Sequence, residues 1–434
     1  MIDPSMIGLV LIGGVVILLV LGAPISTAIA LPSAISMILI MGSDRGAITS
    51  AQRMLQGANS FALLAIPLFI LAGVIMNSGG IAVRLINLAR ILVGRSPAPL
   101  IQTNVMANTI FGSVSGSAVA AAAAVGTTMT PMQQKEGYDR SFSAAANVAS
   151  APAGMLIPPS NTLIVFSLVG GTSVGALFLA GYLPGLLWAL GCMVVVYLYS
   201  RRHPELRGKP MPPMREVAKV SLAALPSLGL IVVAIGGIVA GFFTPTEGAA
   251  VAVVYSLGLS FIYRTIGVRN LPNILFDACR TSSIVVFLIA VASIMSYVMT
   301  FARIPQLLAD SLFGWTDSPF LVLLLMMILL LLIGIVLDPT PAILIFTPIF
   351  LPIATAHGVD PVHFGIMMVM NLSIGVISPP SAPVLFIGAQ VSKAKLESVI
   401  VKLVPFYVML VIILLLVAFI PEISLTLPRL FGLL

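Results

Sequence analysis

The stretch GMLIPPSNTLIV, residues 154–165, sits inside a long apolar run and decides how the chain is read. Pro158 and Pro159 remove two backbone donors and clash with the preceding turn, so a regular helix stops there. Ser160, Asn161 and Thr162 follow at once, in a segment otherwise suited to lipid. Carbonyls freed by such a break are costly in hydrocarbon until a hydroxyl, a neighbouring helix or an ion satisfies them.

The surrounding composition requires a membrane. Of 434 residues, 59% are hydrophobic and 8% charged, more apolar surface than a soluble fold can hide. The first apolar run, Met6–Leu21, lacks a basic leader and a small-residue cleavage site, so no removable signal peptide is expected. A net charge of +7 fits basic residues held in cytoplasmic loops better than nucleic-acid binding. Cys192 and Cys279 are too few and too far apart for a disulfide framework or a metal site, and read as small apolar fillers.

A second copy of the break fixes the architecture. GVISPPSAPVLF, residues 375–386, repeats it at a shift of 221, with Gly154, Pro158, Pro159 and Ser160 matching Gly375, Pro379, Pro380 and Ser381. The same shift carries Pro24, Pro131, Gly137, Asp139 and Pro184 onto Pro245, Pro352, Gly358, Asp360 and Pro405. Two homologous halves, about 22–187 and 243–408, are therefore joined by the polar linker 201–219. Apolar runs place spans at about 5–21, 24–41, 60–78, 141–175 and 178–200, then 222–241, 246–263, 283–300, 364–392 and 404–420. Residues 98–131 and 319–352 are long enough to cross twice but have polar centres, which predicts two re-entrant hairpins with tips near the midplane.

Five spans between equivalent positions give the halves inverted orientation. With the linker inside, seventeen of the 21 basic residues are cytoplasmic, and only Arg45, Arg53, Arg303 and Arg429 face outward. Both termini then lie outside. The fold expected is an all-α polytopic membrane protein of two inverted-topology repeats, each with a hairpin and a broken helix.

Each hairpin tip carries a motif with two readings. In FGSVSGSAVAAAAAVG, residues 111–126, Ser113, Ser115, Gly116 and Ser117 either allow close helix packing or present hydroxyls and free backbone groups to an ion. In GIVLDPTPAIL, residues 334–344, Asp338 and Pro339 read as a helix cap. Equally, an ionisable residue at membrane depth is a site candidate. Thr244, Pro245 and Glu247 fit a capping box, and there the structural reading is preferred. His357 and His363 lack ligand spacing and are expected to be interfacial or partner-facing. Matched breaks in inverted repeats point to a transporter's midplane site, with helix N-termini for an anion and freed carbonyls for Na⁺ or protons. No G-x-S-x-G, H-E-x-x-H or paired intramembrane aspartates support the alternative of an intramembrane hydrolase, and no Walker A motif supports direct use of ATP.

FGSVSGSA, KEGYDRSFSAAANVASAPAGMLIPPSN, FTPTEGAA, LDPTPAILIFTPIFLP and NLSIGVISPPSAP together resemble the large membrane subunit of tripartite ATP-independent periplasmic (TRAP) transporters over nearly the whole chain. The resemblance implies an elevator-type, Na⁺-coupled importer of an organic acid, such as a C4-dicarboxylate or sialic acid, in the bacterial inner membrane. Proton coupling is the alternative. It implies one Na⁺ site at Ser113, Ser115, Gly116, Ser117, Pro158, Ser160, Asn161 and Thr162. A second would use Gly334, Asp338, Thr340, Gly375, Ser378, Pro379 and Ser381. The carboxylate would lie between them, near Ser117, Asn161, Thr162, Pro339, Thr340 and Ser381. No cofactor beyond the coupling ion is implied. The implied partners are a separate four-helix membrane subunit and a periplasmic binding protein. Scaffold would comprise 1–97 and 220–318, including arms near 80–95 and 301–318. The moving hairpins and broken helices would be 98–175 and 319–392. Residues 176–200 would end repeat 1, and 393–434 would form the C-terminal helix and tail.

Overall fold

The computed structural model describes residues 4–203, 206, 213–307 and 318–434, and all regular structure among them is helical. Residues 204–205 and 207–212 of the expected linker, and 308–317 of the expected second arm, lie outside them.

Met6–Val20 (α1) and Ile25–Met41 (α2) are apolar helices of 15 and 17 residues, about 22–26 Å long and so shorter than the hydrocarbon core. A polar helix, Ser43–Ala58 (α3), follows where the apolar pattern gives no element. Ala65–Ser78 (α4) and Ile81–Val93 (α5, the expected first arm) lead to a hairpin of Pro99–Ser115 (α6) and Ala118–Lys135 (α7). The broken helix comprises Arg140–Ser150 (α8), Ala153–Leu156 (α9) and Asn161–Gly170 (α10), bent by 44° at the prolines. Val174–Ser200 (α11) closes the first half.

The second half runs Met214–Val239 (α12), Pro245–Ile262 (α13) and Leu271–Phe301 (α14). Its hairpin is Pro319–Val336 (α15) and Pro339–Ala356 (α16). Pro361–Gly375 (α17), Pro383–Ser392 (α18), Leu396–Phe419 (α19) and a short Glu422–Leu430 (α20) complete it. Among the described residues eight helices are long and apolar enough to cross a membrane, or nine counting the bent pair as one span.

The shift of 221 holds for element ends: α16 is α7 displaced by it at both termini. The local chemistry repeats too. Asp139 Oδ1 accepts the N–H groups of Ser141 and Phe142 at 2.8 and 3.3 Å, and Asp360 Oδ1 accepts those of Val362 and His363 at the same distances. Each carboxylate satisfies orphan donors at a helix start, so α8 and α17 begin in register.

Packing is reciprocal between the halves. The outgoing hairpin arm α7 lies on α18, while its counterpart α16 lies on α10. Small residues permit this closeness: a Cβ at Gly126 of α7 would fall 3.3 Å from Val391 of α18, and one at Gly170 of α10 3.3 Å from Leu351 of α16. Phe166 and Phe364, 6.5 Å apart, fill the junction of α10 and α17. Trp188 Nε1 donates to Ala149 O at 2.8 Å and ties α11 to α8.

Two sequence expectations need correction. His363 is buried, its ring nitrogens 2.6 Å from Ser424 Oγ and 3.2 Å from Ala418 O, so it joins α17 to the α19–α20 corner instead of facing a partner. Cys192 is a buried filler as expected, but Cys279 is exposed. By contrast, Thr244 and Glu247 form the expected capping box, with Glu247 Oε2 accepting the Thr244 N–H at 2.8 Å.

Candidate functional site

The first tip is built by backbone conformation. Gly116 takes φ +63°, which an L side chain rarely adopts, and ends α6 with its N–H on Gly112 O at 2.8 Å. Ser117 then caps α7 by accepting the Ala120 N–H at 3.3 Å. Across from it, α9 ends at Leu156, Ile157 is extended, the Pro158–Pro159 bond is cis, and Ser160 caps α10 through Leu163 N–H.

Tip and break touch. A Cβ on Gly154 would lie 2.2 Å from Gly112 Cα, and one on Gly116 would lie 3.1 Å from Pro159 O and 3.3 Å from the Asn161 amide. The break's freed carbonyl, Met155 O, accepts both the Ser160 and the Thr162 hydroxyls, which stand 2.9 Å from each other. Each hydroxyl donates its one proton and keeps lone pairs for a cation. Ser113 instead donates back to Ile110 O at 2.8 Å, and Ser115 Oγ reaches Ser117 O at 3.4 Å. Tip and break thus set Gly116 against Pro159 and Asn161, beside the cluster of Ser160 and Thr162 hydroxyls at Met155 O.

The second half has the same frame with different chemistry. Gly375 and Gly334 replace the first glycine pair, a Cβ on Gly375 falling 2.2 Å from Gly334 O. Ser378 donates to Ile374 O at 2.8 Å, and the Pro379–Pro380 bond is cis. Ala382 and Pro383 stand where the first half has Asn161 and Thr162, so the hydroxyl clasp is not repeated. Pro379, Pro380 and Ser381 are exposed. The freed carbonyl Ile377 O is taken by the Tyr407 hydroxyl of α19 at 2.5 Å, and Val376 O by the Val384 N–H at 3.3 Å.

Asp338 occupies the N-cap position of α16 with Pro339 at the first helical residue, yet its carboxylate accepts no N–H from that helix. Capping therefore does not explain the acid. Asp338 and Thr340 line a cavity of about 460 Å³ whose other walls include Ser26 of α2 and Ile284, Phe287 and Leu288 of α14. Residues 378–381 are not among its walls. The structure joins Gly334 to Gly375 but turns the tip's acid toward α2 and α14.

Comparison with known proteins identifies this frame. Residues 12–423 match the family model described as the tripartite ATP-independent periplasmic transporter, DctM component. The chain belongs to that family. It is 50% identical over 425 residues to a Salmonella typhimurium protein, YgiK, of uncharacterised function, covering 98% of each chain. It is 36% identical to the sialic acid TRAP transporter large permease protein SiaM of Vibrio cholerae, over 91% of this chain and 92% of that one. The C4-dicarboxylate permease DctM of Pseudomonas aeruginosa is 38% identical over 88% and 90% of the two chains. Among solved structures, the Alcanivorax borkumensis YdaH transporter superposes with a TM-score of 0.67 at 14% identity, covering 91% of this chain and 98% of that one, which is a likeness of fold. A TRAP large permease is thus a multi-pass membrane transport subunit, in agreement with the apolar helices.

Sequence patterns miss several residues packed around the tips and breaks. Tyr407 bears no local motif, although Pro405 beside it is in register with Pro184. Behind the first tip, Asn108 Nδ2 lies 2.9–3.1 Å from Asn104 Oδ1, Asn147 Oδ1 and Ser150 Oγ, and Asn147 Nδ2 donates to Ala122 O at 2.9 Å. This amide network binds α6, α7 and α8 together in a low dielectric. Three asparagines in apolar helices are its only sequence signal.

Proposed function

We propose that this chain is the translocating subunit of a Na⁺-coupled secondary importer of an organic acid, working by elevator-type alternating access. The observation that carries the reading is the first tip and break: two helix ends and two helix starts meet at one point, where hydroxyls already gather around a freed carbonyl. Such a point offers hard oxygens to a monovalent cation and positive helix N-termini to a carboxylate.

In this reading one Na⁺ sits at Ser113–Ser117 with Pro158–Thr162, and a second at Gly334–Thr340 with Gly375–Ser381, the latter drawing Asp338 inward when occupied. The carboxylate bridges Ser117, Asn161 and Thr162 to Pro339, Thr340 and Ser381. The hairpins are re-entrant, the halves are inverted, and both termini face the periplasm across the inner membrane. Residues 98–175 and 319–392 move against a scaffold of 1–97 and 220–318. The partners are a small membrane subunit and a periplasmic binding protein, as the name of a tripartite family suggests. The named relatives act on sialic acid and on C4-dicarboxylates, which supports a carboxylate without choosing one.

Uptake of a radiolabelled carboxylate into proteoliposomes tests this. Accumulation should require an inward Na⁺ gradient, the binding protein and the small subunit together. Uptake that survives collapse of the Na⁺ gradient but fails with the proton gradient would replace Na⁺ by H⁺.

A further inference from the structure

A second polar cavity, of about 500 Å³, lies apart from the tips. One wall is α3 and α14, which cross closely because Gly57 has no side chain: a Cβ there would fall 2.0 Å from Ser293 Oγ. One turn away on each helix, Arg53 lays its guanidinium over the Tyr297 ring, 4.0 Å from the centroid. Glycine contact and cation–π stack together fix the antiparallel crossing and the position of the charge. Leu168 and Val169 of α10 and Leu344 of α16 also line it.

Arg53 is half-buried, and among the described residues no carboxylate pairs with it and no acceptor takes its N–H groups. A guanidinium keeps its charge at any working pH and presents donors in a planar fork suited to a carboxylate. Stacking occupies its face and leaves the edge donors free. Gln56, Ser60, Ser296 and Thr300 line the same space and add polar groups around the charge. Both α10 and α16 start at the tips and breaks and lead toward this cavity, so it stands on one side of the proposed transport site.

We propose that the Arg53 cavity is an anion-binding site on the α3–α14 wall that takes a carboxylate group before or after it occupies the tips. That the anion is the transported acid rests on the importer reading above; that the cavity binds a carboxylate does not. The cationic edge would raise local anion concentration beside the moving elements. The apolar wall of Leu168, Val169 and Leu344 would let the acid's carbon skeleton slide.

Charge-selective labelling tests this without transport. In the full chain with Cys279→Ser, Ser296→Cys places one reactive thiol in the cavity, Cys192 being buried. Its labelling rate is compared for anionic sulfonatoethyl and cationic trimethylammonioethyl methanethiosulfonate. The anion-to-cation ratio should fall about tenfold on Arg53→Gln and recover with Arg53→Lys. Succinate should slow labelling in the Arg53 protein but not in Arg53→Gln, and neutral succinamide should slow neither. A ratio unchanged by Arg53→Gln, no protection by succinate, or no labelling by either reagent overturns the proposal. Because no Na⁺ gradient or binding protein enters the assay, failure of the importer reading leaves this result standing, and the reverse holds.

Discussion

Alanine at Gly154 would put a methyl group 2.2 Å from both Cα and C of Gly112 and 2.7 Å from its carbonyl oxygen. Ordinary contact begins near 3.4 Å, so α6 and α9 must part by about an ångström. The opposing atoms are backbone, and no rotamer change relieves the clash. Overpacking of this kind costs roughly 3 kcal/mol, the upper end of the usual range. The displacement reaches Gly116 and Ser117 one turn along α6, pulling the tip from Pro159 O and Asn161. Gly154→Ala should therefore lose both thermal stability in detergent and Na⁺-dependent uptake at normal expression. The matched control is Gly236→Ala, a helical glycine with nothing within 4 Å of the added methyl, which should be neutral or up to about 1 kcal/mol more stable. If Gly154→Ala unfolds at the same temperature as Gly236→Ala and transports equally, the glycine contact does not set the tip.

Other outcomes follow from the same site. Gly375→Ala should behave like Gly154→Ala, since Gly334 backbone atoms lie 2.2–2.6 Å from the added carbon, and uptake kinetics with thermal unfolding check it. Asp338→Asn should raise the Na⁺ concentration for half-maximal uptake about tenfold, the scale expected when a charged ligand becomes a neutral one. Glu247→Gln should leave both that concentration and the unfolding temperature unchanged, because glutamine can still accept the Thr244 N–H and keep the capping box of α13. Tyr407→Phe leaves Ile377 O without its phenolic donor and should cost roughly 1–3 kcal/mol, with Thr or Ser at 407 failing to rescue for want of reach.

The sequence makes the frame legible because prolines, glycines and capping acids act locally. Pro158, Pro159, Asp139 and Asp360 fix where helices stop and start, and a constant shift carries those signals from one half to the other. Side-chain partnership is a different matter. Asp338 aligns with Ser117, but its carboxylate faces a cavity walled by α2 and α14, distant in sequence. Helix α3 escapes a reading by apolar runs because its polar face conceals a packing stripe, and α14 is longer than its apolar run because Asp277 and Arg280 ride on a continuous helix. Tyr407 reaches a carbonyl thirty residues away, which no periodicity encodes.

The unequal clasps in the two halves have a thermodynamic consequence. At Met155 O the hydroxyls of Ser160 and Thr162 are already gathered by one carbonyl, so a cation at the proposed first site would meet a preformed arrangement and lose little to ordering. Pro379, Pro380 and Ser381 are exposed, and a cation at the proposed second site would have to gather their oxygens itself. In the proposed importer, filling would then acquire an order: the prepared half first and tightly, the other later, with its ordering work available to drive closure.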